Sequence, residues 1–151
     1  YFRRSIAISQ EIGDKRTQGI HLGNLGDVLL KEGLLDEALS VTQQSIAICE
    51  EVFPTAAGVF RGTLAVIHSH RQEYSFAMEA LAKGEPLVRR HSFEYGKFLC
   101  KKARIHCAMN DLMQSKEALQ KAIAIEAELQ TGVNSELGRA IRQTKDIVSG
   151  G

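Results

Sequence analysis

Apolar positions recur along this chain with the spacing of amphipathic helices, and no useful stretch alternates as a half-buried β-strand does. Leu22, Leu25 and Leu29 fall at i, i+3 and i+7, so they share one side of a helix that the pattern predicts from about residue 19 to residue 31. Gly33 then predicts a turn. The next helix carries its own inward stripe, which consists of Leu39, Thr42, Ile46 and Cys49, with Ala38 and Ser45 beside it. The pattern predicts an all-α protein.

Turn and capping residues separate the predicted helices. Asp36 is the predicted N-cap of the second helix, because a carboxylate there can accept a hydrogen bond from an exposed backbone N–H. Pro54 is predicted to end that helix, as Gly13-Asp14 ends the one before it. Asn110-Asp111 forms the corresponding turn later in the chain. Helices of this length joined by short turns are typical of helical hairpins.

The hairpin pattern repeats at intervals of 38 to 40 residues. Ser5-Ile6-Ala7-Ile8 recurs as Ser45-Ile46-Ala47-Ile48, and Ala122-Ile123-Ala124-Ile125 follows close to two periods later. In this register two positions are small in every copy. They hold Gly26, Ala65 and Ala103 in the first helices, and Ala38, Ala77 and Ser115 in the second helices. A small residue lets two packed helices approach closely, so we predict that these residues lie where the helices of each pair cross.

The register divides the chain into units of one domain, residues 1–151. The units are the second helix of a truncated repeat at residues 1–14, repeats at residues 19–54, 58–93 and 96–130, and a closing helix at residues 134–148. Pro86 disturbs the second repeat, because it falls where Ala47 falls in the first, within the second helix. An interior proline removes a hydrogen bond and costs about 3 kcal/mol. We therefore expect this helix to kink or break at Gly84–Pro86 and to restart with Pro86 near its N1 position.

The first repeat resembles a known signature. Leu22-x-x-Leu25-Gly26-x-x-Leu29, followed by Gly33, Leu35 and Ala38, resembles the tetratricopeptide repeat, with leucines where the consensus often has tryptophan or tyrosine. The long period is similar to that of kinesin light chains and Partner-of-Inscuteable adaptors, and comparable arrays are attached to bacterial regulators and protein kinases. The resemblance implies a right-handed α-solenoid of antiparallel helix pairs, whose first helices line a concave groove for peptides.

Position by position, the resemblance places fourteen residues in this groove. They are Ile20, Gly23, Asn24, Asp27 and Lys31 of the first repeat, Val59, Gly62, Thr63, Val66 and His70 of the second, and Lys97, Cys100, Lys101 and Arg104 of the third. Gly23 and Gly62 share a position, which we interpret as a flat patch that an incoming backbone can approach. Asn24 occupies the position from which similar adaptors hydrogen-bond the peptide main chain.

Charge is uneven along the chain although the net charge is only +1. Residues 1–55 carry −3, residues 56–105 carry +5 and the remainder carries −1. Lys97, Lys101 and Arg104 form one helical stripe, and Asp27 lies opposite it in the expected groove. Such a bipolar groove would orient a peptide with its acidic segment against the third repeat. The alternative is that the uneven charge is an ordinary solvated surface.

No motif in the sequence predicts catalysis. There is no phosphate-binding Gly-x-x-x-x-Gly-Lys run, no Gly-x-Ser-x-Gly elbow and no recognisable carboxylate pair. His68 and His70 point to different sides of a helix, so they cannot chelate one metal ion. The three cysteines have no disulfide spacing, so we expect reduced thiols in the cytoplasm. We predict that the protein is not an enzyme and has no cofactor or metal.

Three functions fit these patterns. The first is a protein–protein interaction module of a larger regulatory or scaffold protein, which binds a peptide or helix of its partner. The second is self-association through an uncapped first helix with Phe2, Ile6 and Ile8. The third is nucleic-acid binding through the basic middle of the chain, which is the least favoured because exposed aromatic side chains for base stacking are missing. No apolar run long enough for a membrane span is present, and the start at Tyr1 suggests a fragment.

Overall fold

The computed structural model describes residues 3–4 and 14–150, and every regular element in this part of the chain is an α-helix. The helices that follow Asp14 are α1 (Lys15–Lys31), α2 (Leu35–Val52), α3 (Pro54–His70), α4 (Tyr74–Val88), α5 (Ser92–Ala108), α6 (Leu112–Leu129) and α7 (Glu136–Gly150). The predicted all-α class is therefore confirmed for the described residues. The helix predicted at residues 1–14 lies outside them, apart from Arg3, Arg4 and Asp14.

Packing divides the chain into two compact units, Tyr1–Leu87 and Val88–Gly151. The prediction that the repeats form one domain stays a prediction. In the first unit, α1 packs on α2, α2 packs on α3, and α1 also touches α3. One buried cluster of this unit consists of Leu22, Leu25, Leu29, Ala38, Val41 and Ile67, and a second consists of Ile46, Cys49, Ala56, Ala57 and Phe60. The leucine stripe of α1 is thus buried as predicted.

In the second unit, α5 packs on α6, and α7 packs on both, mainly on α5. The shared core consists of Leu99, Cys100, Ala103, Ala118, Leu119, Ala122, Leu137, Ile141 and Val148. Three of these side chains come from α7, whose buried apolar residues lie on one side of the helix. Because Leu137 is fully buried, α7 is part of the core of this unit.

The small residues predicted at the helix crossings are all buried. A Cβ added at Gly26 would collide with the Oγ1 of Thr42 on α2. In the third hairpin the Ser115 hydroxyl donates to the Ala103 carbonyl oxygen at 2.6 Å, so the two predicted positions are in direct contact. Gly23 and Gly26 lie in one turn of α1. The close contact with Thr42 explains why the second of them is a glycine.

A second set of small residues lies two turns away and was not anticipated. Gly19, Gly58 and Gly96 occupy one position of the first helices and are buried, as are Ser45, Gly84 and Ala122 at one position of the second helices. In the first hairpin the Ser45 hydroxyl donates to the Gly19 carbonyl oxygen at 2.6 Å. A Cβ at Gly19 would lie 2.6 Å from the Cys49 Sγ. The first hairpin therefore has two levels of close approach, at Gly19 and at Gly26, and repetition of the glycines was the signal in the sequence.

The first-to-second helix turns share one backbone path. The turn residue is left-handed in each hairpin, with φ of 79° at Gly33, 61° at Gln72 and 61° at Asn110. The residue that follows donates its N–H to the carbonyl oxygen five residues earlier, at 2.8 to 2.9 Å. These hydrogen bonds are Leu34 to Leu29, Glu73 to His68 and Asp111 to His106. The predicted turns at Gly33 and Asn110 are confirmed.

The first helix of each hairpin begins four residues before its predicted start. The helices begin at residues 15, 54 and 92, whereas the predicted repeats begin at residues 19, 58 and 96. The first turn of α1 is mostly polar, so no apolar periodicity marks it, and its start is fixed instead by Asp14, whose carboxylate accepts from the Thr17 N–H at 3.0 Å. In α3 the start is Pro54, which also follows the end of α2 as predicted.

The prediction that Asp36 caps α2 is wrong. The helix begins at Leu35, and Leu34 is the N-cap residue without a side-chain capping bond. Asp36 lies within the first turn, where its carboxylate accepts from the Arg71 guanidinium at 2.5 Å. The Asp36 carboxylate therefore links the start of α2 to the turn after α3 and does not cap its own helix.

The predicted break at Gly84–Pro86 is also wrong. Helix α4 runs without interruption from Tyr74 to Val88, with Pro86 inside it. It ends two residues after the proline, whereas α2 continues five residues beyond the equivalent Ala47. A proline in the last turn removes one hydrogen bond but leaves little helix beyond it to disrupt. Gly84 is buried within the unbroken helix, and a kink at this point stays a prediction.

Candidate functional site

The candidate residues of the first two hairpins lie on α1 and α3, the first helices of successive pairs. These helices touch through two contacts. The Phe60 ring of α3 lies directly over Gly23 of α1. One turn along, the Thr63 hydroxyl donates to the Asp27 carboxylate at 2.8 Å. The two helices are therefore held side by side by residues that the sequence had placed in the groove.

Gly23 is not the flat exposed patch that we expected. It is buried, and a Cβ at this position would enter the Phe60 ring. The absence of a side chain serves the contact between α1 and α3. No local pattern could indicate this contact, because Phe60 is 37 residues away along the chain.

Gly62 and Thr63 are buried as well, and Thr63 is fully inaccessible. Asp27 is half-buried and accepts the Thr63 hydrogen bond, so at least one of its oxygens is committed within the first unit. These three residues support the packing of α3 on α1. They are poor candidates for direct contact with a ligand.

The remaining candidates of the first unit form a partly accessible strip, which we call the α1–α3 face. It consists of Ile20, Asn24, Lys31, Val59, Val66 and His70. Its aliphatic members are half-buried, and Lys31 and His70 are exposed at the ends of their helices. Among the described residues the Asn24 side-chain amide forms no hydrogen bond. The face thus combines apolar surface with an amide that can both donate and accept.

In the second unit, Lys97 of α5 is occupied by neighbouring groups. Its ammonium lies 2.9 Å from a Glu136 carboxylate oxygen on α7 and 3.3 Å from one of Glu94. It also lies 4.9 Å from the centre of the Phe93 ring. Burial disfavours the charge of Lys97, but its carboxylate partners outweigh burial and raise its pKa. Lys97 therefore fastens α7 to α5.

Cys100 is buried beneath α7 and is a core residue of the second unit. Burial raises the pKa of its thiol, and a hydrogen bond with Thr144 of α7 opposes this effect. Leu137, also on α7, covers Gly96, where a Cβ would lie 2.8 Å from a Leu137 methyl carbon. Of the four candidates on α5, Lys101 is half-buried and Arg104 is exposed, so only these two present charge outward.

Two histidines share one position of the repeat, an agreement that the sequence analysis did not note. His68 and His106 each lie two residues before the end of their helix, α3 and α5, and each is followed five residues later by a carboxylate. The His68 Nδ1 lies 3.0 Å from Glu73, and the His106 Nδ1 lies 3.5 Å from Asp111. The spacing His-x-x-x-x-acid at the turn was the signal. Within residues 3–4 and 14–150, no group of three or more His, Cys, Asp and Glu side chains is arranged to hold a metal ion.

Comparison with known proteins adds no identification. No protein-family model matches the chain, and no curated protein is significantly similar to it. Over the part of the chain that the structure describes, no helix is both long and apolar enough to cross a membrane.

Proposed function

We propose that this chain is a helical-repeat interaction module of the tetratricopeptide type, part of a larger regulatory or scaffold protein of the cytoplasm. In this proposal the first helices line the concave side of a right-handed solenoid and bind a peptide or helix of a partner protein. The observation that carries it is the pairing of α1 with α3 through Phe60–Gly23 and Asp27–Thr63. This pairing leaves the α1–α3 face beside it.

Agreement between the repeats supports the same conclusion. The small residues of each hairpin are buried at the same positions, and the three turns share one backbone path at 38- to 39-residue intervals. A repeated hairpin cannot bury its apolar side alone and does so by stacking. Helices stacked in register present the same surface positions in a row, which is the arrangement that extended peptides use.

Asn24 is the residue we expect to bind the peptide main chain. Its amide is half-buried and has no partner among the described residues. Ile20, Val59 and Val66 are half-buried aliphatic residues of the same face. An amide within apolar surroundings gains from a main-chain partner, because a buried polar group without one is unfavourable.

Selection of a displayed peptide library against the whole chain tests this proposal. Peptides that bind should lose about tenfold in affinity on Asn24→Ala, which is the size of one hydrogen bond, with no change in melting temperature. Gln43→Ala is the matched control, because it removes an exposed amide from α2, away from the face. Peptides that respond to Gln43→Ala and not to Asn24→Ala would contradict the assignment of the face.

An acidic segment in the partner is the second part of this proposal. Lys101 and Arg104 lie three residues apart on α5, where Lys101 is half-buried and Arg104 is exposed. Lys97, which we had grouped with them, is already paired with Glu94 and Glu136. Because the Lys101 and Arg104 side chains are positively charged and reach the surface of α5, we assign recognition of partner carboxylates to them.

A further inference from the structure

The turns that follow α3 and α5 place a histidine in the same position with different electrostatic surroundings. The His68 and His106 side chains are only 12% and 7% exposed. Leu29, which is also buried, occupies this position in the first hairpin. A titratable ring has therefore replaced an aliphatic core residue in two hairpins.

His68 is well matched to its carboxylate. Its Nδ1 is within hydrogen-bond distance of a Glu73 oxygen, which also accepts from the Arg71 Nε at 2.8 Å. The hydrogen bond with His68 and the charge of Arg71 lower the pKa of Glu73. A positive charge on His68 would thus face an ionised carboxylate.

His106 has no carboxylate partner in comparable geometry. Its Nδ1 is buried and makes no well-formed hydrogen bond with a described residue, since the oxygen of Asp111 beside it is 3.5 Å away. The other oxygen of Asp111 accepts from the Gln114 N–H at 3.3 Å, and this bond caps α6. Aspartate is shorter than glutamate by one methylene, so the carboxylate that caps the helix does not also reach the ring with good geometry.

Few other charges act on the His106 ring. Within the second unit these are Asp111 in the turn and Lys102 one helical turn earlier on α5. The buried residues of α6 and α7 carry no ionisable group: they are Ser115, Ala118, Leu119 and Ala122 on α6, and Leu137, Gly138, Ile141, Thr144 and Val148 on α7. Burial lowers the pKa of His106, Lys102 adds to this effect, and Asp111 only partly opposes it.

The backbone carbonyl of His106 takes part in the hydrogen bonds of the turn. Its carbonyl oxygen accepts from the N–H of Met109 at 3.1 Å and from that of Asp111 at 2.9 Å. If the turn opens to expose the ring, these hydrogen bonds between the end of α5 and the start of α6 are loosened.

We propose that the turn between α5 and α6 is an acid-sensitive joint, which is closed while His106 is neutral and opens when the ring binds a proton. The equivalent turn between α3 and α4 stays closed under the same conditions, because Glu73 accepts the charge of His68. This inference concerns the fold of the second unit and does not depend on the proposed peptide binding.

The sign of the effect follows from proton linkage. The opened turn exposes His106, which then binds a proton near its ordinary pKa of about 6.5, whereas the closed turn holds that pKa lower. Acid therefore favours the open form. The loss begins as the pH falls below about 6.5, and its slope is at most about tenfold in the opening constant per pH unit for one proton.

Hydrogen exchange of the whole chain at pH 7.5 and 5.5, corrected for the intrinsic exchange rate, tests the proposal. The reporting amides are those of Asp111 and Ser115, which donate to the His106 and Asp111 carbonyl oxygens. The matched controls are the amides of Glu73 and Ala77, which make the same two bonds in the other turn. We expect protection of the reporters to fall several-fold at pH 5.5 while the controls change less than twofold.

His106→Leu supplies the residue that the first hairpin uses and should abolish the pH dependence of the reporters, and His68→Leu should leave it intact. Should His106→Leu fail to fold, His106→Gln serves the same purpose, since it is neutral at every pH. Equal protection at both pH values overturns the proposal, as does a pH dependence that survives in the position 106 variants. Titration of the His106 ring by NMR at or above pH 6.5 in the wild type also overturns it.

Discussion

Gly26 has no Cβ, and this allows α1 and α2 to pack closely. Gly26 is buried at the crossing, and any Cβ there would meet the Thr42 hydroxyl. A glycine within a helix costs about 1 kcal/mol relative to alanine, yet here alanine would add a collision. Thr42 is itself fully buried, and its hydroxyl has no hydrogen-bond partner.

We expect Gly26→Ala to destabilise the first unit by about 1 to 3 kcal/mol, the usual range for overpacking. Thr42→Ala in the same chain should recover most of the loss, because it removes the colliding hydroxyl and gives the new methyl group room. Urea unfolding of both single variants and the double variant measures the coupling. Additive effects would show that Gly26 does not contact Thr42 in solution.

Arg61 occupies the position that holds Leu22, Leu99 and Leu137 in the other first helices. Its side chain is mostly buried, it pairs with Glu50 of α2, and its Nε lacks a partner. Burial of a charge is expensive even when it is paired. The other repeats therefore suggest leucine as the apolar replacement for Arg61.

Arg61→Leu should leave the free energy of unfolding unchanged or raise it by about 1 kcal/mol, as apolar replacements of buried ion pairs often do. Glu50 is about half exposed, so water can take over its charge. Glu50→Gln is the contrasting variant and should destabilise, because it leaves the Arg61 charge without its carboxylate. Thermal unfolding monitored by circular dichroism compares them, and the reverse order of stability would be inconsistent with this view.

At the scale of the helix, the second helices differ in how far they continue beyond one repeat position. That position is Ala47 in α2 and Pro86 in α4. Helix α4 stops two residues later, and α2 continues for five. The length of helix after the position decides what a proline there disrupts.

Ala47→Pro should therefore cost about 3 kcal/mol, since it interrupts a helix interior. Pro86→Ala should stabilise by a smaller amount, since it restores a single bond near a helix end. Denaturant unfolding of the two variants gives both values. A loss of stability in Pro86→Ala would mean that the proline has a packing role.

Helix type and register were predictable because apolar spacing and small-residue positions are local or strictly periodic. Leu22, Leu25 and Leu29 indicated the buried side of α1 directly. The contacts of Gly23 and Asp36 were not predictable, since their partners Phe60 and Arg71 are more than thirty residues away. For the same reason the expected groove included Thr63 and Cys100, which the fold buries.

At the scale of the whole molecule, charge follows the division into units. Residues 1–87 carry eight basic and eleven acidic side chains, a net −3, and residues 88–151 carry eleven and seven, a net +4. A peptide with acidic residues would therefore be attracted to the second unit, and this attraction should weaken with salt.

We expect a selected peptide that contains glutamates to lose affinity between 50 and 500 mM salt, values chosen to span about a threefold change in screening length. The same peptide with glutamines should bind with little salt dependence. Lys101→Ala with Arg104→Ala should make the glutamate peptide behave like the glutamine peptide. Fluorescence anisotropy provides the measurement, and a salt dependence that survives in this double variant would reject the assignment to α5.

Self-association stays a separate prediction, because the residues expected to mediate it, Phe2, Ile6 and Ile8, lie outside the described part of the chain. Sedimentation equilibrium at increasing protein concentration distinguishes the possibilities. A folded monomer at every concentration would remove self-association as a property of this chain, whereas a dimer that Ile6→Glu dissociates would support it.

The three left-handed turn residues show how freely side chains can change along a constant backbone path. Gly33 adopts this conformation without strain, while Gln72 does so at a cost of about 1 kcal/mol. Gln72→Gly should therefore raise the melting temperature, and Gly33→Gln should lower it. Main-chain hydrogen bonds define the backbone path of all three turns. A hairpin moved from one repeat to another should therefore keep the same turn geometry.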